Sequence, residues 1–287
     1  MSYEIQAEKA HKLLALHLGP HILVLPNAWD VASARIFEDA GFPAIATSSA
    51  GVANSLGYPD GQRISRDEML EVVARIVRAV SVPVTADMEA GYGKTSEELA
   101  KTAVALIETG AVGCNIEDCA KEGSNELFPV DLQKQKIRAM MEAAKKRGAH
   151  LVINARTDIF LEEIGDPATR AERAIERLNA YREAGAESLF APGVKDAATI
   201  EKIARAVKGP LNILATVGTP SVAELEKLGV ARLSLGSGPM RACMGLTARI
   251  AKHIREKGTF EIMTEGAMPY TEANRILEKS QAKRASD

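Results

Sequence analysis

Short apolar runs alternate with longer stretches of helical spacing from one end of the chain to the other. The runs occupy positions 21–26, 43–47, 82–86, 112–116, 151–154, 188–191, 211–215 and 231–235. Four to six residues without polar alternation is the pattern of a strand buried on both faces of a parallel sheet. Between them, positions 30–40, 65–80, 96–109, 131–147, 167–184, 196–206, 221–228 and 239–257 have amphipathic helical spacing. Thr95-Ser96-Glu97-Glu98 sets a hydroxyl cap before acids, and Gly41, Gly110, Gly148, Gly185 and Gly229 fall where helices should stop. Eight strand–helix units predict an α/β fold, a (β/α)8 TIM barrel over 1–258, with no linker to divide it. An open doubly wound sheet would use fewer strands and carry a dinucleotide fingerprint. A further helix at 271–282 lies in a C-terminal extension, 259–287. Its apolar positions have little left to cover in a closed barrel, so packing on another subunit is expected.

Composition narrows the partners. The 287 residues carry 36 Lys+Arg against 38 Asp+Glu, a net charge of −2 with the signs mixed throughout. That balance argues against nucleic acid or an anionic membrane, and no stretch reaches the ~20 apolar residues of a transmembrane helix. With 46% hydrophobic residues, a large core is expected rather than disorder. The first residues contain early acids and no apolar run before a cleavage site, so they are not read as a signal peptide and a cytoplasmic protein is expected. Cys114, Cys119 and Cys243 are odd in number and lack paired spacing, predicting neither disulfides nor zinc.

In such barrels chemistry occurs at the C-terminal ends of the strands. Asp87 and Glu89 are two apart and in a continued strand would project on the same side; Glu117 follows from the next strand. Three carboxylates at close range need a cation between them. Oxygen-only ligands fit a hard divalent ion, Mg2+ held partly through water, with Mn2+ as its substitute. Arg156 can offer a bidentate fork to a carboxylate or enolate oxygen, or can pair with Asp158 or Glu117. Ser48, Ser49 and Gly51 form a small-residue loop whose amides could hold a carboxylate. Gly93-Lys94-Thr95 is discounted as a phosphate loop, since Met88 stands where its first glycine belongs. No strand run carries a Schiff-base lysine, and the five histidines fall outside the strand ends.

Asp87-Met-Glu89-Ala-Gly-Tyr-Gly93, Asn115-Ile-Glu117-Asp118, Ile153-Asn-Ala-Arg156-Thr-Asp158, Ser55-Leu-Gly57-Tyr-Pro-Asp60-Gly61 and Leu25-Pro-Asn-Ala-Trp-Asp30 together resemble the isocitrate lyase/phosphoenolpyruvate mutase superfamily, over about 21–258. The resemblance is closest to its short bacterial phosphonomutase-like members. It implies that Asp87 binds Mg2+ directly, with Glu89, Glu117 and Asp60 acting through metal-bound water. It further implies that the Ser48, Ser49 and Ala50 amides bind the substrate carboxylate, that Arg156 stabilises an enolate, and that Tyr92 lines the site. The implied assembly is a homo-oligomer, a dimer of swapped dimers, in which the eighth helix is exchanged between subunits.

The chain also departs from the pattern. Glu89-Ala90 replaces a common Asp-Thr, and the residues after Glu117 lack the Lys-(Lys/Arg)-Cys-Gly-His loop of the isocitrate and methylisocitrate lyases, which argues against those two activities. Cys119 lies too near Glu117 to replace that loop's cysteine, while Asn125 stands at the spacing of the phosphonomutases' substrate-binding Asn. The shared chemistry implies cleavage of a C–C bond in a 2-oxo or 2-hydroxy dicarboxylate through a metal-stabilised enolate. The alternatives are phosphonopyruvate mutase or hydrolase action on a P–C bond, and a 2-oxo-acid-binding barrel without turnover.

Overall fold

The computed structural model describes residues 3–119 and 126–284. In chain order these form α1 (Tyr3–His17), β1 (Leu23–Leu25), β2 (Asn27–Ala28), α2 (Val31–Asp39), β3 (Ile45–Thr47), α3 (Ser49–Ser55), α4 (Arg66–Ala79), β4 (Val84–Asp87), α5 (Ser96–Glu108), β5 (Gly113–Glu117), α6 (Val130–Lys146), β6 (Val152–Arg156), α7 (Arg170–Glu183), β7 (Ser188–Phe190), α8 (Ala197–Ala206), β8 (Leu211–Leu214), α9 (Val222–Lys227), β9 (Arg232–Ser234), α10 (Gly238–Lys257), α11 (Glu261–Thr264) and α12 (Tyr270–Arg284).

Every ladder is parallel, and the sheet order β1-β9-β8-β7-β6-β5-β4-β3-β2 returns to the strand it began with. β1 pairs with β9 while β2 pairs with β3. These two are one predicted run, broken at Pro26, which has no N–H to give a ladder; its carbonyl still accepts from Ala46 N at 2.9 Å. The first strand thus passes from one neighbour to the other at its proline. Nine strands fill eight positions of a (β/α)8 barrel.

The helix signals act as their residues require. Thr95 and Glu98 form a reciprocal capping box at the start of α5, as do Ser65 and Glu68 at α4 and Ser221 and Glu224 at α9. Gly110 ends α5 with φ +88°, a conformation that a side chain would penalise.

Two helices escaped the apolar pattern. α1 closes the bottom of the barrel with an inward face of Gln6, Ala10, Leu13 and His17, half of it polar. Gln6 Nε2 donates to the Ile107 and Ala111 carbonyls at 2.9 Å each, and Leu13 packs with Leu23, Leu25, Ala46 and Val152. His17 Nδ1–H donates to Leu13 O at 2.8 Å, so that Nε2 faces the fully buried Arg232 at 3.5 Å as an acceptor. Burial, reinforced by Arg232, lowers His17 to about 4. The second is α3: the small-residue segment expected as a loop is a short helix capped by Ser48, whose Oγ accepts from Gly51 N at 3.1 Å.

The C-terminal segment differs from expectation in which helix lies bare. α12 docks on its own barrel through the buried Ile276, whose carbonyl accepts from Arg35 Nε at 3.0 Å, and through Arg275 against Asp39. α10, the eighth barrel helix, buries none of its 20 residues. No described helix is long and apolar enough to cross a membrane.

Candidate active site

Strand ends β3 to β6 converge on one carboxylate-rich mouth. Asp87 closes β4, and its N–H donates to Thr47 Oγ1 at 3.0 Å. Its Oδ2 accepts both the amide and the hydroxyl of Ser49, at 3.1 and 2.8 Å. Its Oδ1 is buried without a hydrogen-bond partner. Such an atom carries an unmet demand for a donor or a cation.

Glu89 reaches the mouth by a different route from the one its spacing predicts. β4 stops at Asp87, and the next residues form a left-handed turn with φ of +50° at Glu89, +95° at Gly91 and +54° at Tyr92. Positive φ at two non-glycine residues is strained backbone that its surroundings must enforce. Here Glu117 N donates to Glu89 O at 3.0 Å, Lys136 Nζ to Ala90 O at 2.8 Å and Thr102 Oγ1 to Gly91 O at 2.9 Å. At Gly91 the φ of +95° strains any side chain, and an added Cβ would also press on Leu99 Cδ1 from 2.1 Å, so glycine is favoured. The turn delivers Glu89 with Oε1 accepting Tyr92 OH at 2.9 Å and Oε2 accepting Gln62 N at 2.5 Å.

Glu117 and Arg156 end β5 and β6 as register partners. Arg156 Nη1 lies 2.9 Å from Glu117 Oε2, while its Nε and Nη2 contact the two oxygens of Asp158 at 2.5 and 3.1 Å. Both anticipated ion pairs therefore form. Behind them sits a group that the sequence did not disclose. Asp118 is fully buried and accepts from Asp158 N at 3.0 Å, Arg177 Nε at 2.8 Å and Tyr181 OH at 2.6 Å. Arg177 and Tyr181 are one helical turn apart on α7, a spacing that hints at a shared partner without naming it.

The electrostatics describe an anionic mouth with too little positive charge. Burial, then Asp87, raises Glu89 to about 7. Burial also lifts Glu117 well above the carboxylate range despite Arg156, and burial, then Glu89, raises the Tyr92 hydroxyl. Burial opposes the charge on Arg156, but Asp158 and Glu117 outweigh it and keep it cationic. Among the described residues no group of three or more His, Cys, Asp or Glu side chains could hold a metal by itself. A single direct carboxylate with others reaching the ion through water suits this arrangement, and the unpartnered Asp87 Oδ1 fits a hard cation.

Two adjoining cavities open here. The smaller, about 80 Å3, is lined by Ser49, Asp60, Glu89, Glu117, Arg156 and also Cys119. The larger, about 290 Å3, brings Ser48, Ser49, Ala50, Asp60, Asp87 and Arg156 together with Asn27 of the first-strand motif and with residues not singled out from sequence, including Phe190, Leu214 and Arg241. Tyr92 lines neither and touches the site through Glu89. Of the three amides expected to hold a carboxylate, Ser48 N already donates to Ala28 O and Ser49 N to Asp87 Oδ2. Ala50, at the first turn of α3, is the remaining one. Asn125 lies outside the described residues. A more voluminous hollow of about 740 Å3 runs between α5 and α6, away from every strand end.

Comparison with known proteins agrees with this fold. A family model described as phosphoenolpyruvate phosphomutase matches residues 13–255. The chain is 32% identical over 239 residues to the 2-methylisocitrate lyase of Escherichia coli, covering 79% of this chain and 77% of that protein. It is 34% identical over 208 residues to the oxaloacetate decarboxylase of Pseudomonas putida, covering 70% and 68%. A crystal structure from Burkholderia cenocepacia, whose lyase/mutase label is itself provisional, superposes with a TM-score of 0.88 at 39% identity, over 95% of this chain and 96% of that one.

Proposed function

The chain belongs to the phosphoenolpyruvate phosphomutase family, within the isocitrate lyase/phosphoenolpyruvate mutase superfamily, and from that premise we propose that it is a Mg2+-dependent carbon–carbon lyase or decarboxylase of 2-oxo or 2-hydroxy dicarboxylates. The observation that carries this reading is the buried, unpartnered Asp87 Oδ1 beside the Glu117–Arg156 pair.

Asp87 would hold the metal directly, with Glu89, Glu117 and Asp60 around its water shell. Bound there, Mg2+ supplies a Lewis acid for the oxygen that becomes an enolate. Ser49 fixes the Asp87 carboxylate by two donors to one oxygen, so the other stays aimed and free. Ala50 N would receive the substrate carboxylate from the first turn of α3. Arg156, held by Asp158 through Nε and Nη2 and paired with Glu117, would present its charge to the growing oxyanion. Tyr92 orients Glu89 through its hydroxyl.

The bare α10 supports the exchanged-helix assembly. Met244, Leu246 and Ile254 stand exposed on a helix that a barrel of this type normally buries. A second copy would cover them.

The test is 2-oxo-acid release from oxaloacetate, 2-methylisocitrate, a dialkylmalate and phosphonopyruvate, with Mg2+ and then with EDTA. EDTA-sensitive release from a carbon substrate is expected. The matching family model is named for phosphonate chemistry, and release from phosphonopyruvate alone would install P–C cleavage instead.

A further inference from the structure

Asp118 brackets Arg156 from behind the mouth. Its N–H donates to Arg156 O at 3.2 Å, and its Oδ1 accepts Asp158 N at 3.0 Å. One residue thus grips the backbone on both sides of Thr157, where β6 has ended. Asp158 carries that hold to the guanidinium, because its two oxygens take Arg156 Nε and Nη2 at 2.5 and 3.1 Å.

What fixes Asp118 comes from α7. Asp118 is fully buried, and a carboxylate in that setting requires donors and a compensating cation. A single helical turn supplies both. Arg177 Nε donates to Asp118 Oδ2 at 2.8 Å, and the Tyr181 hydroxyl donates to the same oxygen at 2.6 Å. Arg177 Nε also lies 3.0 Å from Tyr181 OH, so the two partners brace each other. Burial, then Asp118, lifts the Tyr181 hydroxyl well above its ordinary value, which keeps it a donor. Burial opposes the charge on Arg177, but Asp118 and Tyr181 outweigh it and keep it cationic. Arg177 Nη2 further donates to Phe128 O, while Phe128 N donates to Asp118 O at 2.7 Å. The same guanidinium therefore holds Asp118 by its side chain and, through Phe128, by its carbonyl.

Neither Arg177 nor Tyr181 lines either cavity of the site. Any influence on a molecule held there must pass through Asp118 and Asp158 to Arg156. That route is short and made of directional bonds, and a shift of Asp158 would turn the Arg156 fork away from the oxygen it has to meet.

We infer that Arg177 and Tyr181 are positioning residues for Arg156, fixing through Asp118 and Asp158 the pose in which its guanidinium meets the oxyanion. This rests on the enolate reading above, in which Arg156 is the group that faces the developing charge.

The experiment measures Mg2+-dependent deuterium exchange at C3 of pyruvate by the full chain, in wild type, Arg177→Gln and Tyr181→Phe, each also in an Arg156→Lys background. Arg177→Gln should lower the exchange kcat roughly tenfold and Tyr181→Phe about threefold, with KM and calorimetric Mg2+ affinity within about twofold of wild type. In the Arg156→Lys background the fork is already gone, so either change should cost less than about twofold more. A merely structural role would add its full cost in both backgrounds. Tyr181→Phe removes one hydroxyl and leaves Arg177 on Asp118, so it carries the test alone if Arg177→Gln does not fold, which circular dichroism checks. Exchange by wild type that the folded variants leave unchanged, or losses that add fully to Arg156→Lys, overturns the inference and leaves the enolate reading standing. Absence of exchange by wild type removes that reading, and the inference with it.

Discussion

Ser49 is joined to Asp87 twice, by amide and hydroxyl, and both bonds fall on the same carboxylate oxygen. The other oxygen is left buried with nothing to meet it. Ser49 therefore acts as an orienting group for the expected metal ligand. Ser49→Ala keeps the amide bond and loses the hydroxyl, and should weaken Mg2+ binding by roughly ten- to hundredfold, as loss of an outer hydrogen bond to a ligand does. Calorimetric Mg2+ titration checks this; an unchanged affinity would remove Ser49 from the metal's support.

Arg156 joins two carboxylates at once through three nitrogens, a fork that only a guanidinium offers. Arg156→Lys retains the charge between Glu117 and Asp158 but not the fork. The fold should survive with little change in melting temperature, while kcat falls roughly 100-fold or more. Steady-state rates beside a thermal melt separate the two effects.

Much of this was legible in the residues, and the limits have a physical cause. The strands could be read because helices cover the barrel's outer face and side chains fill its interior, so each strand is apolar along its whole length. Asp87, Glu117 and Arg156 stood out because they follow such runs directly. Glu89 was found for a reason that did not hold, since a strained turn and not a continuing strand brings it in. Asp118 with Arg177 and Tyr181 stayed hidden because the partners lie 59 and 63 residues away and no local pattern couples them. α1 was missed because half of its buried face is polar, and the break at Pro26 because one apolar run gave no sign that its two halves pair with different strands.

The His17–Arg232 contact predicts a pH dependence of stability. His17 is held near 4 in the fold against an unfolded value of 6.5, so the folded state binds fewer protons between those values. Its contribution is complete above 6.5 and is lost as pH falls toward 4, at most about 3 kcal/mol at roughly 1.4 kcal/mol per unit. His150 works in the other direction: its hydrogen bond to Glu187 raises its value, so its contribution is full below 6.5 and fades as pH rises. Chemical denaturation of wild type and His17→Gln at pH 7 and pH 5 isolates the first effect. Wild type should lose more stability than the variant; equal losses would exclude His17 as the cause.

The exposed apolar face of α10 predicts association. Light scattering should give a whole multiple of the chain mass, and Leu246→Glu should shift the protein to smaller species with a lower melting temperature. A wild-type monomer would contradict the exchanged-helix assembly.

The central claim is that these strand ends form a metal-assisted enolate site. It is tested most directly by following deuterium incorporation at C3 of pyruvate in D2O by proton NMR. With Mg2+, wild type should exchange faster than a protein-free control, and EDTA or Asp87→Asn should return the rate to that background. Background exchange by wild type, or exchange that persists through both EDTA and Asp87→Asn, would contradict it.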